Sequence, residues 1–336
     1  MNPIAEWHAE LSKGSELTPE FCREFAASMR SRKLTFGDRI HSPFLRPFLL
    51  SGQDEARIRY AAETIAAIGE RIVRQAMESP SLFAQFGITE AEERLIRIDP
   101  GYATASTASR LDAFLLPDAL HFAEYNAESP AGPAYTQKLA ELFDALPVMT
   151  RFRAGRRLRY HRTIDPILVA LLDSYREWGG TANPPTIAIV DWREVPTWTE
   201  FEILRNAFID AGVPTLVCDP RSLEFDGKTL AADGQRIDLV YRRVLINDII
   251  ARPDECSALM KAYEKRAVCV ANTMRCKIPH KKAFFAVLTD PANSAMFSAA
   301  ERDVIEASVP WTRLVVPSVL DDARKRRERL VLKPND

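Results

Sequence analysis

Apolar and polar positions follow different rhythms along this chain, and each rhythm predicts a different kind of element. Over the first ninety or so residues the apolar positions recur every three or four. Ile58, Ala61, Ile65, Ile68 and Ile72 fall on one face of a helix predicted over about 53–76. Thr18 followed by Pro19-Glu20 predicts a capped helix start. Thr89 ahead of Glu92 and Glu93 predicts another. No chemistry-bearing motif stands out here, and residues 1–95 read as an N-terminal helical region that packs around sheet domains.

From about residue 96 the pattern shortens. Segments 110–116 and 120–126 predict two strands joined at Pro117-Asp118, an antiparallel hairpin. A helix over about 136–146 follows, then an arginine-dense stretch over 151–162 and a further apolar helix over about 167–175. Near Pro184-Pro185 a new unit begins. Strands at 186–190, 214–218 and 237–241, with a helix at 199–211, predict a small parallel α/β domain. Residues 223–237, with turns at Asp226-Gly227 and Asp233-Gly234, predict an antiparallel hairpin set into it. A third unit starts with a strand at 268–271, continues with helices from Lys281 and over about 299–307, and ends in a strand at 327–332. The expected organisation is 1–95, 96–180 around the hairpin, 181–265 as the α/β domain, and 266–336.

Composition narrows the classes of function. Apolar residues make up 46% and charged residues 27% of 336, the averages of soluble globular proteins. No run approaches the roughly 20 apolar residues of a membrane span, and the first residues lack a secretion signal's pattern, so a cytoplasmic protein is expected. A net charge of −1 provides no global field for nucleic acid or membrane. The arginines at 151–162 therefore read as a solvated or partly paired face. The five cysteines have no zinc-site spacing and read as reduced thiols. Glycine is scarce, 13 of 336, and the β-like run at the end stops at turn chemistry. The expectation is a chain cut partway through a nucleotide site, with a glycine-rich segment downstream.

Three segments carry candidate chemistry. In 122–133 alternate strand residues share a face, so Glu124 and Asn126, with Glu128 beyond them, point the same way. Hard oxygen donors so arranged suit Mg²⁺, which completes its shell with water and phosphate. A three-residue loop would set Arg110 opposite Asn126 and Asp112 opposite Glu124, two acids that need a cation beside them; a two-residue loop would shift the pairing. A polar, solvent-facing sheet surface fits the same pattern. In the second segment, a buried β run delivers Tyr241, Arg242 and Arg243 at the end of a strand, where α/β sheets bind ligands. A guanidinium there can hold a carboxylate or phosphate, or simply snorkel at a domain edge. The third segment, 272–282, places Lys281 and Lys282 at a helix start, and Lys333 joins it from after the terminal strand. These lysines suit triphosphate oxygens or ordinary surface solvation. A Gly-x-Gly-x-x-Gly is absent after the first α/β strand, so a dinucleotide site is unsupported.

Taken in order, these segments resemble the glutathione synthetase and glutathionylspermidine synthase branch of the ATP-grasp ligases, and most of all its circularly permuted bacterial members. The Arg-x-Asp strand and Glu-x-Asn resemble that branch's substrate and magnesium hairpin. Val-Tyr-Arg-Arg at 240–243 resembles its substrate-arginine strand, with Arg243 the matching position. Lys281-Lys282 and Val-Leu-Lys-Pro at 331–334 resemble its two ATP-lysine segments. The resemblance spans about 108–336. Two departures, Glu-Tyr-Asn-Ala-Glu-Ser-Pro-Ala-Gly and the missing Gly-Tyr after the arginines, speak against glutathione as product.

The resemblance implies an α/β, ATP-grasp-like fold of the glutathione synthetase type, with N-terminal helices, an antiparallel hairpin sheet and an inserted parallel α/β domain. It implies ATP- and Mg²⁺-dependent joining of a small-molecule or peptide carboxylate to an amine through an acyl phosphate. Arg110 and Arg243 would grip the reacting carboxylate, Lys281, Lys282 and Lys333 the ATP phosphates, and Glu124 and Asn126 the Mg²⁺. Asp112, Ser129, Tyr241 and Arg242 would contact substrate. The alternative is a non-catalytic nucleotide- or peptide-binding protein on the same fold.

Overall fold

The computed structural model describes residues 3–336. At its centre is a four-stranded, all-parallel sheet in the order Thr215–Cys218, Ile187–Val190, Leu239–Arg242, Cys269–Ala271. Both faces are covered, as a parallel sheet requires. Alternation along the strands sends Ile187, Ile189, Leu239, Tyr241, Cys269 and Ala271 into one core. It sends Ala188, Val190, Val240 and Val270 into the opposite one. The expected strand at 268–271 is thus the sheet's fourth member, and the sheet continues across the 265/266 boundary. The segment after Thr215–Cys218 folds into three short antiparallel strands, Leu223–Phe225, Leu230–Ala232 and Gln235–Ile237, with a left-handed Asp233-Gly234 at the tighter turn.

The N-terminal helices do not form one layer. Trp7, Leu11, Phe25 and Met29 join Phe143 and Phe152 in the core on one face of the sheet. The long helix Gly52–Glu78 instead packs Ile65, Ile68 and Ile72 against Phe122 and Tyr125 of the hairpin, and against Phe284, Val304 and Ile305 of the last part of the chain. Hairpin, long helix and residues 278–309 therefore share one core. Arg71 fastens that assembly through Glu301 at 2.6 Å, on the helix Ala299–Ser308.

The hairpin strands are Arg110–Leu115 and Leu120–Asn126. Leu116 N–H donates to Ala119 O at 2.8 Å, which closes a two-residue loop. A bulge beside Asp112/Ala113 then shifts the ladder by one residue. Arg110 lies opposite Asn126 and Asp112 opposite Glu124, the pairing expected from a three-residue loop. The extra residue of the bulge does what the longer loop would have done.

The arginine stretch is largely paired. Arg151 holds Glu16 at 2.8 Å, Arg159 holds Glu55 at 2.6 Å, and Arg153 and Arg156 hold Asp144 and Glu6. One element differs from expectation. Residues 327–332 are not a strand: Arg327–Arg329 is a 3₁₀ turn, and 330–336 have no regular secondary structure and no ladder partner among the described residues. Val331 and Leu332 are each 82% exposed, and no sheet edge among the described residues receives the β-like run. No helix among the described residues is long and apolar enough to cross a membrane.

Candidate functional site

Segment 124–132 is the spine of the site, and each polar residue along it meets a different part of the chain. Glu124 comes first. Its Oε2 lies 3.7 Å from Lys282 Nζ and 3.9 Å from Lys333 Nζ, although 158 and 209 positions separate these lysines from it in sequence. Lys333 Nζ also donates to Ala123 O at 2.8 Å. Both lysine contacts are longer than a hydrogen bond, and all three side chains keep solvent exposure.

Next along the spine, Asn126 Nδ2 donates to Asp112 Oδ2 at 3.3 Å. Asp112 is clasped by Arg110, Nε to Oδ1 at 2.6 Å and Nη2 to Oδ2 at 3.1 Å. The two acids that face each other across the ladder therefore each have a cation beside them. Arg110 also reaches Ala131 O at 2.6 Å.

Glu128 is fully buried. It meets Lys277 at 3.1 Å, Arg242 at 3.4 Å, His280 at 3.8 Å and the Ile246 N–H. Burial alone would raise its pKa, but the Arg242 and Lys277 charges outweigh that and hold the carboxyl below its usual range. Lys277 continues to Asp336 at 2.7 Å and Glu92 at 3.8 Å, and Lys281 to Glu92 at 2.6 Å and Asp336 at 3.3 Å. His280 stands beside this network with its pKa lowered, chiefly by burial. Arg242 also donates to Val244 O at 2.6 Å and Asn272 O at 3.2 Å. Adjacent lysines thus go to different carboxylates, Lys282 toward Glu124 and Lys281 into the buried network. Asn272 aligns the whole spine: its side chain bonds Ala108 N and O, Ala127 O and Glu128 O at 2.7–3.0 Å.

Ser129 brings the spine against the parallel sheet. Its hydroxyl donates to Arg243 O at 2.7 Å, and Arg243 Nη2 donates to Ser129 O at 3.2 Å. Strand order reverses direction between Ile187–Val190 and Leu239–Arg242, the switch point at whose carboxyl edge such sheets bind ligands. Asp191 and Arg243 directly follow those two strands, and Arg243 N–H donates to Val190 O at 2.9 Å. The Arg243 guanidinium lies over the rings of Tyr241 and Phe201, and Tyr241 Oη accepts from it at 3.1 Å. Glu200 Oε1 accepts from Gly132 N and Ala134 N at 2.8 and 3.1 Å. Gly132, at φ 118°, takes a backbone conformation that favours glycine here. Burial raises the Glu200 pKa, an effect that Arg243 and Arg110 oppose. Burial likewise pushes Asp191 up to about 6. Two buried polar atoms in this corner, Glu200 Oε2 and Arg243 Nε, have no hydrogen-bond partner among the described residues; in a folded protein such orphans need a reason.

This architecture has a counterpart. It matches the solved structure of a glutathione synthetase-like effector from Globodera pallida, with a TM-score of 0.54 and 11% identity, over 98% of this chain and 79% of that one. At that identity the likeness is one of fold: this chain has a mixed α/β, glutathione synthetase-like fold. No protein-family model and no curated sequence matches it.

Sequence reasoning missed Glu92, Lys277, Asn247, Glu200 and Asp191. Glu92 is also the reciprocal member of the Thr89 capping box, with Oε2 accepting from Thr89 N at 2.8 Å. A cap explains its presence so fully that nothing pointed to a second partner. Among the described residues no group of three or more His, Cys, Asp or Glu could hold a metal unaided. Glu124 and Asn126 suit only a cation that takes most of its shell from water and phosphate, as Mg²⁺ does. The amide oxygen of Asn126 is the atom its bond to Asp112 leaves for that purpose, and Glu124 is not locked by its lysines. On these grounds the residues fit.

Proposed function

We propose that the chain carries the site of an ATP-dependent carboxylate–amine ligase of the ATP-grasp kind. The observation that carries the reading is the approach of Lys282 and Lys333, from two remote segments, to within 4 Å of Glu124 on the hairpin. One acid between two ammonium groups at an open surface is the charge pattern of a Mg²⁺–triphosphate site. The orphaned Arg243 Nε and Glu200 Oε2 at the switch point supply a second, substrate-facing corner.

Lys282 and Lys333 would hold the phosphates, and Glu124 and Asn126 the Mg²⁺, which neutralises phosphate charge when bound. Arg243 and Arg110 would place the acid's carboxylate in line with the γ-phosphorus, with Ser129 and Tyr241 fixing Arg243, and Asp112 fixing Arg110. A carboxylate oxygen bonds to that phosphorus as the bond to ADP breaks. The amine then adds to the acyl carbon, loses a proton to solvent and expels inorganic phosphate, leaving the amide. Such chemistry needs positioning and charge more than covalent help. Arg242 and Lys281, both buried in ion pairs, would act by holding the spine in place.

The test is Mg²⁺-ATP binding by calorimetry together with ADP release over a panel of acids and amines, for the parent chain and for Glu124→Gln and Lys282→Met. Loss of nucleotide binding in both variants is expected; binding unchanged by both would end this reading. A second reading, nucleotide or peptide binding without turnover, is favoured by one feature. Lys281, Lys282, Lys333, Arg110 and Arg242 all already face carboxylates of the chain itself. Binding without ADP release would select it.

A further inference from the structure

The buried ion network contains one carboxylate unlike the others. Glu128 and Glu92 are at most 3% exposed at the side chain, whereas Asp336 retains 24%. Asp336 Oδ1 lies 2.7 Å from Lys277 Nζ and 3.9 Å from His280 Nε2. Its Oδ2 accepts from Asn247 Nδ2 at 2.6 Å and from Lys281 Nζ at 3.3 Å. The two ammonium groups are themselves almost wholly buried, 2% and 4% exposed. Four donor-bearing side chains from two separate parts of the chain thus converge on two oxygens, the arrangement of an oxyanion receptor.

Charge points the same way. Arg242, Lys277 and Lys281 are balanced by Glu128, Glu92 and Asp336. Without Asp336, and with His280 neutral, the interior keeps one unpaired positive charge, which is costly in a buried cluster. An anion at that position removes the cost. The arm that brings Asp336 there is the most exposed of the three segments that supply carboxylates. Val331 and Leu332 on it are exposed. Its attachments are Lys333 to Ala123 O, and Asn335, which accepts from Lys282 N and Ala283 N and donates to Phe86 O at 2.8–2.9 Å.

We propose that Lys277, Lys281 and Asn247 form a phosphate-type oxyanion site, distinct from the Glu124–Lys282–Lys333 cleft, in which the Asp336 carboxylate is a displaceable resident. The site discriminates for a compact anion with at least two oxygens, either inorganic phosphate or a phosphoryl group of a nucleotide. It stands whether or not the chain is a ligase.

The experiment is chemical rescue in the whole chain. Asp336→Ala lowers the thermal midpoint in chloride buffer, and inorganic phosphate at matched ionic strength restores it saturably. At ten times its dissociation constant the ligand should raise the midpoint by roughly 2 °C. The parent chain should bind phosphate at least tenfold more weakly. Asn247→Ala in the Asp336→Ala background, a change at an exposed position, should weaken the rescue several-fold. Asp336→Asn, which removes charge but little volume, is the companion should the alanine variant misfold. ADP in place of phosphate, added in the Glu124→Gln background where the cleft is disabled, separates the sources: Asn247-dependent rescue by ADP alone assigns the site to a nucleotide's phosphoryl group, and rescue by phosphate assigns it to the free ion. No rescue by either anion, or rescue indifferent to Asn247, overturns the proposal. Glu124→Gln leaves this rescue intact, so its outcome is separable from that of the ligase reading.

Discussion

Replacement of Glu128 by Gln puts the most demanding test on the site's construction. The side chain is fully buried between Arg242, also fully buried, and Lys277 at 2% exposure. The amide keeps the shape and one acceptor but removes the charge that both cations face. Removing one partner of a buried pair costs about 3–5 kcal/mol, and no discount for solvent screening applies at this depth. Lys277 retains Asp336, and Arg242 retains the Val244 and Asn272 carbonyls, so the lower end, about 3 kcal/mol, is expected. With a guanidinium m-value of about 5 kcal/mol per molar for a chain of this size, the midpoint falls by roughly 0.6 M. Glu90→Gln is the control, because its pair with Arg94 is 90% and 68% exposed and should contribute well under ~1 kcal/mol. Acid supplies a second readout. The folded-state pKa of Glu128 is depressed. Its stabilisation is therefore complete above the unfolded value, about 4.3, and is lost as pH falls through the folded value. The Glu128→Gln variant lacks that part of the acid slope, so the two stability curves converge below pH ~4. A midpoint shift no larger than the control's, or parallel curves down to low pH, would refute the argument that this network holds the spine.

Other consequences are quicker to check. Asp191 has a folded pKa raised to about 6 by burial. A raised pKa stabilises below the unfolded value and loses that contribution as pH rises through the folded one, so Asp191→Asn should gain stability over the parent at pH 7.5 and none at pH 4, by urea unfolding at the two pH values. Asn272→Ala strands the Ala127 and Glu128 carbonyls and the Ala108 amide and should cost about 3 kcal/mol; a loss under ~1 kcal/mol would mean that the spine aligns without it. Burial pushes the Cys218, Cys256 and Cys276 thiols up to about 12, and Cys269 is as deeply placed. Only exposed Cys22 should react promptly with a thiol reagent in the native protein, and two or more fast equivalents would contradict the packing.

Periodicity made the local elements legible where each had its own signature. The long helix runs Gly52–Glu78 where apolar spacing predicts 53–76, and the Thr18 and Thr89 caps both form. Hairpin and parallel strands likewise fall within a residue or two of their predicted bounds. What resisted was everything decided by distant partners. The run at 327–332 has strand composition, but composition supplies no ladder, and no edge among the described residues accepts it. The short strand after residue 265 looked like the start of a unit because nothing local distinguishes an edge strand of an old sheet from the first strand of a new one. The register at Arg110–Asn126 came out as expected through a bulge that no residue pattern announced.

The same limit explains which site residues were visible. Glu124, Asn126, Arg110 and Arg243 are polar residues set in apolar strands, and a polar residue there violates the period and draws notice. Lys277, Lys281 and Glu92 sit in helical or capping segments where charge is ordinary, and only burial marks them as unusual. Burial is a property of the assembled cores. Helix Glu90–Ile96 and the Lys277–His280 turn are brought together by the core that unites Ile65, Phe122 and Phe284, and that core forms only when segments two hundred residues apart have docked. Three buried cations therefore cannot be placed until the fold is complete, and once placed they oblige the fold to supply three anions. Two come from fully enclosed positions, at Glu92 and Glu128. The third comes from an exposed arm, so of the three carboxylates it is Asp336 that the structure can most readily exchange for a ligand.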